Sequence, residues 1–155
     1  MQKHTVIRSL LAVALLAAGP LAWADTGASP IGLWKTIDDG SKKEKSLVRI
    51  VLDSGGVLVG KIEKLLDPNE KPDVVCDQCS DERKNQPVVG LTIIRGVKQD
   101  ADDKALWNGG DILDPANGKV YKVRLKPAQD GKALEVRGYI GMPMLGRSQT
   151  WIRVE

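Results

Sequence analysis

Histidine and phenylalanine are the plainest absences from this chain. Of its 155 residues one is histidine, His4, and none is phenylalanine. His4 falls in a segment that, on the reading below, is removed, so the working protein has no histidine. That takes away the commonest general base, the Ser-His and Cys-His nucleophile pairs and the commonest metal ligand. Cysteine is nearly as scarce, with Cys76 and Cys79 alone. A zinc site needs two further soft ligands, which the chain does not offer. No G-x-S-x-G occurs, and no phosphate-cradling glycine loop precedes a helix. No catalytic residue, metal or cofactor is therefore expected.

An excess of one charge is also missing. The chain carries 23 Lys and Arg against 20 Asp and Glu. Without Lys3 and Arg8 the count is 21 against 20, with no basic block. That balance lacks the electrostatic footprint of a nucleic-acid binder. Long apolar runs are absent apart from Leu10 to Ala18 near the start. That run is well short of the roughly 20 residues that span a bilayer. Basic Lys3 and Arg8 precede it, Gly19-Pro20 breaks it, and Ala22-Trp23-Ala24 supplies a small-x-small site. These are the three parts of a cleavable signal peptide. The expectation is cleavage after Ala24, a single domain over 25–155, a periplasmic or secreted destination and no membrane span. No cysteine follows the site, which argues against a lipid anchor.

From Ile31 onward the pattern is β. Strands are expected over Gly32 to Ile37, Leu47 to Leu52, Val57 to Leu66, Leu91 to Lys98 and Ala105 to Leu113. Three more follow over Val120 to Leu125, Leu134 to Ile140 and Gln149 to Val154. Asp53-Ser54-Gly55-Gly56, Asp114-Pro115-Ala116-Asn117-Gly118 and Asp130-Gly131 read as turns. About eight strands with short turns favour an all-β, antiparallel up-and-down barrel, which leaves no exposed edge. Such a barrel is filled by side chains or holds one small ligand. The long exception is Asp67 to Pro87, polar and containing both cysteines; loops of that length tend to be functional or mobile.

Cys76-Asp77-Gln78-Cys79 is the most conspicuous motif. In an oxidising compartment it reads as a disulfide. A structural clasp, a thiol-disulfide redox centre and shared metal binding are all open. Asp73, Asp77, Asp81 and Glu82 surround it and oppose the thiolate that redox work requires. Gly32-Leu33-Trp34 opens the first strand and Trp151-Ile152-Arg153 ends the last. Barrel closure makes these neighbours, so Arg153 can stack on Trp34 as a structural plug at the base. The paired glycines after Trp107-Asn108 suggest a bulge or a close backbone approach. Trp107 and Tyr121 either line a cavity or supply core bulk in a chain without Phe. Asp111 and Asp114 lack the spaced acids of a calcium loop. Glu63, Asp111 and Glu135 could form a carboxylate pair for glycoside hydrolysis, though no spacing unites them. Gly138 to Arg147 is an unusually apolar connection. It either caps the barrel or meets a ligand, another protein or lipid.

Several of these segments together resemble the family known as domain of unknown function 2147, small exported bacterial proteins. They are Gly32-Leu33-Trp34, Pro87-Val88-Val89-Gly90-Leu91, Trp107-Asn108-Gly109-Gly110 and Asp114 to Tyr121. Val136 to Gly141 and Arg147 to Arg153 complete the set. The resemblance covers essentially all of the chain after the signal segment. It implies a lipocalin-like antiparallel barrel, in agreement with the strand pattern, and no activity or catalytic residue. Many relatives have an Asn/Asp-rich loop where this chain has Cys76 and Cys79, which assigns the pair to a subgroup.

The expected function is an exported, non-enzymatic barrel protein that binds a small apolar or amphipathic molecule. Trp107, Tyr121, Arg137, Tyr139 and Arg147 are the expected lining and rim. The alternatives are an interaction module acting on an envelope protein or the cell wall through the apolar loop, and thiol chemistry at Cys76 and Cys79.

Overall fold

The period-2 alternation seen in the sequence becomes a closed ring of strands in the computed structural model, which describes residues 28–155. The expected signal peptide, with His4, lies outside the described residues. Nine strands form: β1 Gly32–Ile37, β2 Glu44–Leu52, β3 Leu58–Leu65, β4 Thr92–Gln99, β5 Trp107–Asn108, β6 Asp111–Asp114, β7 Lys119–Ala128, β8 Ala133–Tyr139 and β9 Arg147–Arg153. All pairings between them are antiparallel. β5 and β6 both lie between β4 and β7, so they count as one interrupted strand and the barrel has eight staves. The expected strand over Ala105 to Leu113 is thus broken, and the break falls at Gly109-Gly110.

The ring closes where β1 meets β9, with Trp34 opposite Arg153. Inward positions follow the registers. Trp34 faces Val48 and Thr36 faces Ser46 across β1–β2, and Leu134 faces Trp151 across β8–β9. The buried alternation of β2 (Ser46, Val48, Ile50) and β7 (Val123, Leu125) shows why these stretches are strands: each has one apolar face to hide.

Alternating strand direction sorts the connections by end. One end carries short turns at 53–57, 100–106 and 129–132, together with the chain after Arg153. At Asp53 the carboxylate accepts the amide N–H groups of Gly55 (2.8 Å) and Val57 (3.1 Å), which closes the hairpin. The other end carries the turns at 38–43 and 115–118, the long segment 66–91 and the apolar tip 140–146.

Candidate functional site

The end with short turns is plugged. Trp34 is fully buried, its indole N–H donates to the Pro30 carbonyl at 2.7 Å, and the Arg153 guanidinium sits 4.1 Å from its ring. That guanidinium also donates to the carbonyls of Ser29 (2.5 Å), Ile31 (2.9 Å) and Gly131. One planar fork therefore ties the chain just before β1, the 129–132 turn and the end of β9 together. Gly32 (φ +142°) has to be glycine here, because a Cβ would strike Arg153 and the Glu155 carbonyl. Above the plug, Val48, Ile50, Leu58, Ile94, Val97 and Leu125 are fully buried and fill the lower barrel.

The long segment between β3 and β4 is folded and forms a wall. Val88 N–H donates to Val74 O at 2.9 Å and Cys76 N–H to Gln86 O at 2.9 Å, around a bridge between Val75 and Pro87. Cys76 and Cys79 are disulfide-bonded and 0% and 2% exposed, inside the core cluster. Their loop lies against the 115–118 turn, so closely that a Cβ on Gly118 would strike the Gln78 carbonyl. Arg83, 4% exposed, staples the segment to β4. It chelates Asp81 (Nη2 to Oδ2, 2.6 Å) and donates to the Thr92 carbonyl at 3.1 Å. Hydrogen bonding from Arg83 holds the Asp81 carboxyl at about 2, well below its ordinary range.

Between this wall and the upper strands lies a cavity of about 620 Å³. Ligand sites typically measure about 300–1,000 Å³. Its floor is apolar, made by Ile62, Ile93, Leu113, Val136 and Trp151, with Val74 and Val88 from the wall. Two buried hydroxyls interrupt the apolar surface: Thr36 Oγ1 and Ser46 Oγ are 2.8 Å apart, and Ser46 N–H also donates to Thr36 Oγ1. Gln149 adds an amide and Tyr121 a phenol. The rim is charged, with Asp38, Asp67, Glu70, Asp77 and Asp114 against Lys45 and Arg147. Three of these acids cap turns. Asp38 Oδ1 accepts the Ser41 N–H and hydroxyl (2.6 and 2.7 Å), Asp67 accepts from Asn69, and Asp114 from Ala116 and Asn117. Those bonds lower the pKa of Asp38 and Asp67, so both stay ionised. Among the described residues no three His, Cys, Asp or Glu side chains group as a metal cage would require.

A family model described as "Uncharacterized protein conserved in bacteria (DUF2147)" matches residues 32–153. The chain belongs to the DUF2147 family. A solved structure described as "Protein HP1028 from the human pathogen Helicobacter pylori belongs to the lipocalin family" superposes with a TM-score of 0.69 at 19% identity, covering 83% of this chain and 84% of that one. At that identity the likeness establishes a shared barrel and nothing finer. No curated protein matches.

In this DUF2147 barrel the five residues expected to line the cavity divide. Tyr121 and Arg147 line it. Trp107 does not; it lies toward the plugged end opposite Gln99 and Leu125, partly buried against the core. Arg137 and Tyr139 stand on the outer face of β8. The inward positions of that strand are Leu134, Val136 and Gly138, so odd-numbered residues point away. Arg137 holds the apolar tip instead, donating to Pro143 O at 2.7 Å, Met144 O at 3.1 Å and Ser148 Oγ at 2.8 Å. The Arg124 guanidinium lies 5.9 Å from the Tyr139 ring centre. Glu63, Asp111 and Glu135 sit on three strands with separate partners (Arg49, Arg95 and Ser148), and none lines the cavity. Thr36, Ser46, Val136 and Trp151 escaped the sequence reading as site residues. Strand parity, applied to the upper half of each strand, is the signal that finds them.

Proposed function

We propose that this protein is an exported, non-enzymatic carrier that holds one small amphipathic molecule in the upper half of its barrel. The observation that carries the reading is the asymmetry of filling. The lower barrel is packed solid, while the upper holds a cavity of about 620 Å³ with an apolar floor and a charged rim. An apolar body would displace water from Ile62, Leu113, Val136 and Trp151, and polar ends would meet the Thr36–Ser46 hydroxyls and the rim. The eight-stave barrel suits this use, since that size encloses one small ligand when it is not filled. Export is supported by the signal-like segment 1–24 and by a disulfide at home in an oxidising compartment. Burial of both cysteines weighs against thiol exchange, which needs an accessible sulfur.

Native mass spectrometry of the protein released gently from the cell envelope tests the reading. The expected spectrum has a chain beginning at Asp25 with a stoichiometric small-molecule adduct that organic solvent removes. A ligand-free protein that takes up no amphiphile when offered a lipid extract overturns it.

A further inference from the structure

Taking the cavity as a ligand site, as proposed above, we infer that its occupant carries a carbonyl-type oxygen within its apolar body and no negative charge, as an ester, amide or ketone does. Thr36 and Ser46 are 8% and 7% exposed, and both line the cavity. Their hydroxyl oxygens lie 2.8 Å apart, and the Ser46 N–H donates to Thr36 Oγ1 at 3.1 Å. Each hydroxyl has one proton to give. Whichever of the two donates to the other, the second proton finds no acceptor among the described residues. A buried donor without an acceptor is costly, and an oxygen brought by the ligand removes that cost.

Gln149, on the neighbouring strand β9, adds donors of the same kind. Its amide orientation is fixed by Trp151, whose indole N–H can only donate. Trp151 Nε1 lies 3.2 Å from Gln149 Oε1, so the amide oxygen is spent there. The amide nitrogen is left with no acceptor among the described residues. The interior therefore asks its occupant for an acceptor. The rim sets the second condition. Asp38, Asp67, Glu70, Asp77 and Asp114 stand there against Lys45 and Arg147, and Arg147 is already paired with Asp39 at 2.8 Å. Among the described residues none of those five acids is in an ion pair. An anionic head seated at the mouth would meet like charge with part of its water removed. An ionised fatty acid thus has the right oxygen and the wrong charge.

Displacement of bound N-phenyl-1-naphthylamine, a probe with no acceptor oxygen, tests this. The competitors are 2-undecanone and undecanoate, matched in chain length and offered as monomers at neutral pH, where undecanoate is ionised. The ketone should displace the probe from the parent at about tenfold lower concentration than undecanoate. Gln149→Glu keeps an oxygen facing Trp151 and turns the spare donors into an acceptor. It should lower the affinity for the ketone, relative to that for the probe, about tenfold. Equal displacement by the two competitors overturns the inference, and that comparison needs no variant. A ketone-to-probe affinity ratio that Gln149→Glu leaves unchanged overturns it as well. In both cases the probe still binds and the carrier reading stands. A parent that binds no probe overturns the two together.

Discussion

The two ends of this barrel are made from the same strands and behave as different materials. At the base, Trp34 and Arg153 join three chain segments through one indole and one guanidinium, and large aliphatic side chains leave no room above them. At the mouth, equally inward positions carry Thr36, Ser46, Val136 and Gly138, small residues that leave a cavity behind. The base is held by strand pairing and packing. The mouth is held by a folded long segment: backbone bonds around the Val75–Pro87 bridge, Arg83 on Asp81 and the Thr92 carbonyl, and the close approach of Gly118 to Gln78. Rigidity is therefore concentrated where no ligand could enter, and open volume where the loops can shape it.

Substitutions at the base should cost most. Trp34→Ala removes a fully buried indole and its stack with Arg153. A loss of about 3–5 kcal/mol is expected in denaturant unfolding. The contrast sharpens with one change made at both ends. Val97→Phe at the packed base should cost about 1–3 kcal/mol through overpacking, whereas Val136→Phe should project into open volume and leave stability nearly unchanged. Comparable costs at the two ends would mean that the mouth is as full as the base. Replacing both cysteines by Ala should cost about 2 kcal/mol, the chain-entropy value for so small a ring. Hydrogen exchange should then rise across 67–91 while β1, β2 and β9 keep their protection.

The smallest effect is electrostatic. Asp81 titrates at about 2 in the folded protein against an ordinary 3.8. A depressed carboxyl stabilises fully above its unfolded value and loses that contribution as pH falls through the folded one. Loosening of the 67–91 wall, followed by hydrogen exchange, should therefore develop between about pH 4 and pH 2. Arg83→Met should remove that pH dependence.

The barrel was legible because each strand hides one face, and period 2 survives in sequences such as Ser46-Leu47-Val48-Arg49-Ile50. The break at Gly109-Gly110 was marked by the glycines themselves. The cavity was half legible. Tyr121 lines the cavity and Arg147 stands on its rim, paired with Asp39, whereas Arg137 and Tyr139, chosen for their chemistry and nearness in sequence, fall on the wrong parity of β8. The wall over 67–91 was hidden for a different reason. Its order comes from contacts between residues far apart in the chain, such as Gln78 with Gly118. Arg83 sits in a charged run that reads as solvated surface, yet it is 4% exposed because Asp81 and the Thr92 carbonyl take up its donors. No local pattern announces such a staple.

Fluorescence titration with the neutral apolar probe N-phenyl-1-naphthylamine measures the hollow mouth most directly, run in parallel on the parent and Val136→Phe. The parent should show saturable one-site binding with a blue-shifted probe. Val136→Phe should lose that binding while its unfolding midpoint stays in place. Undiminished binding in Val136→Phe, or no saturable binding in the parent, would contradict the account of a barrel solid at its base and open at its mouth.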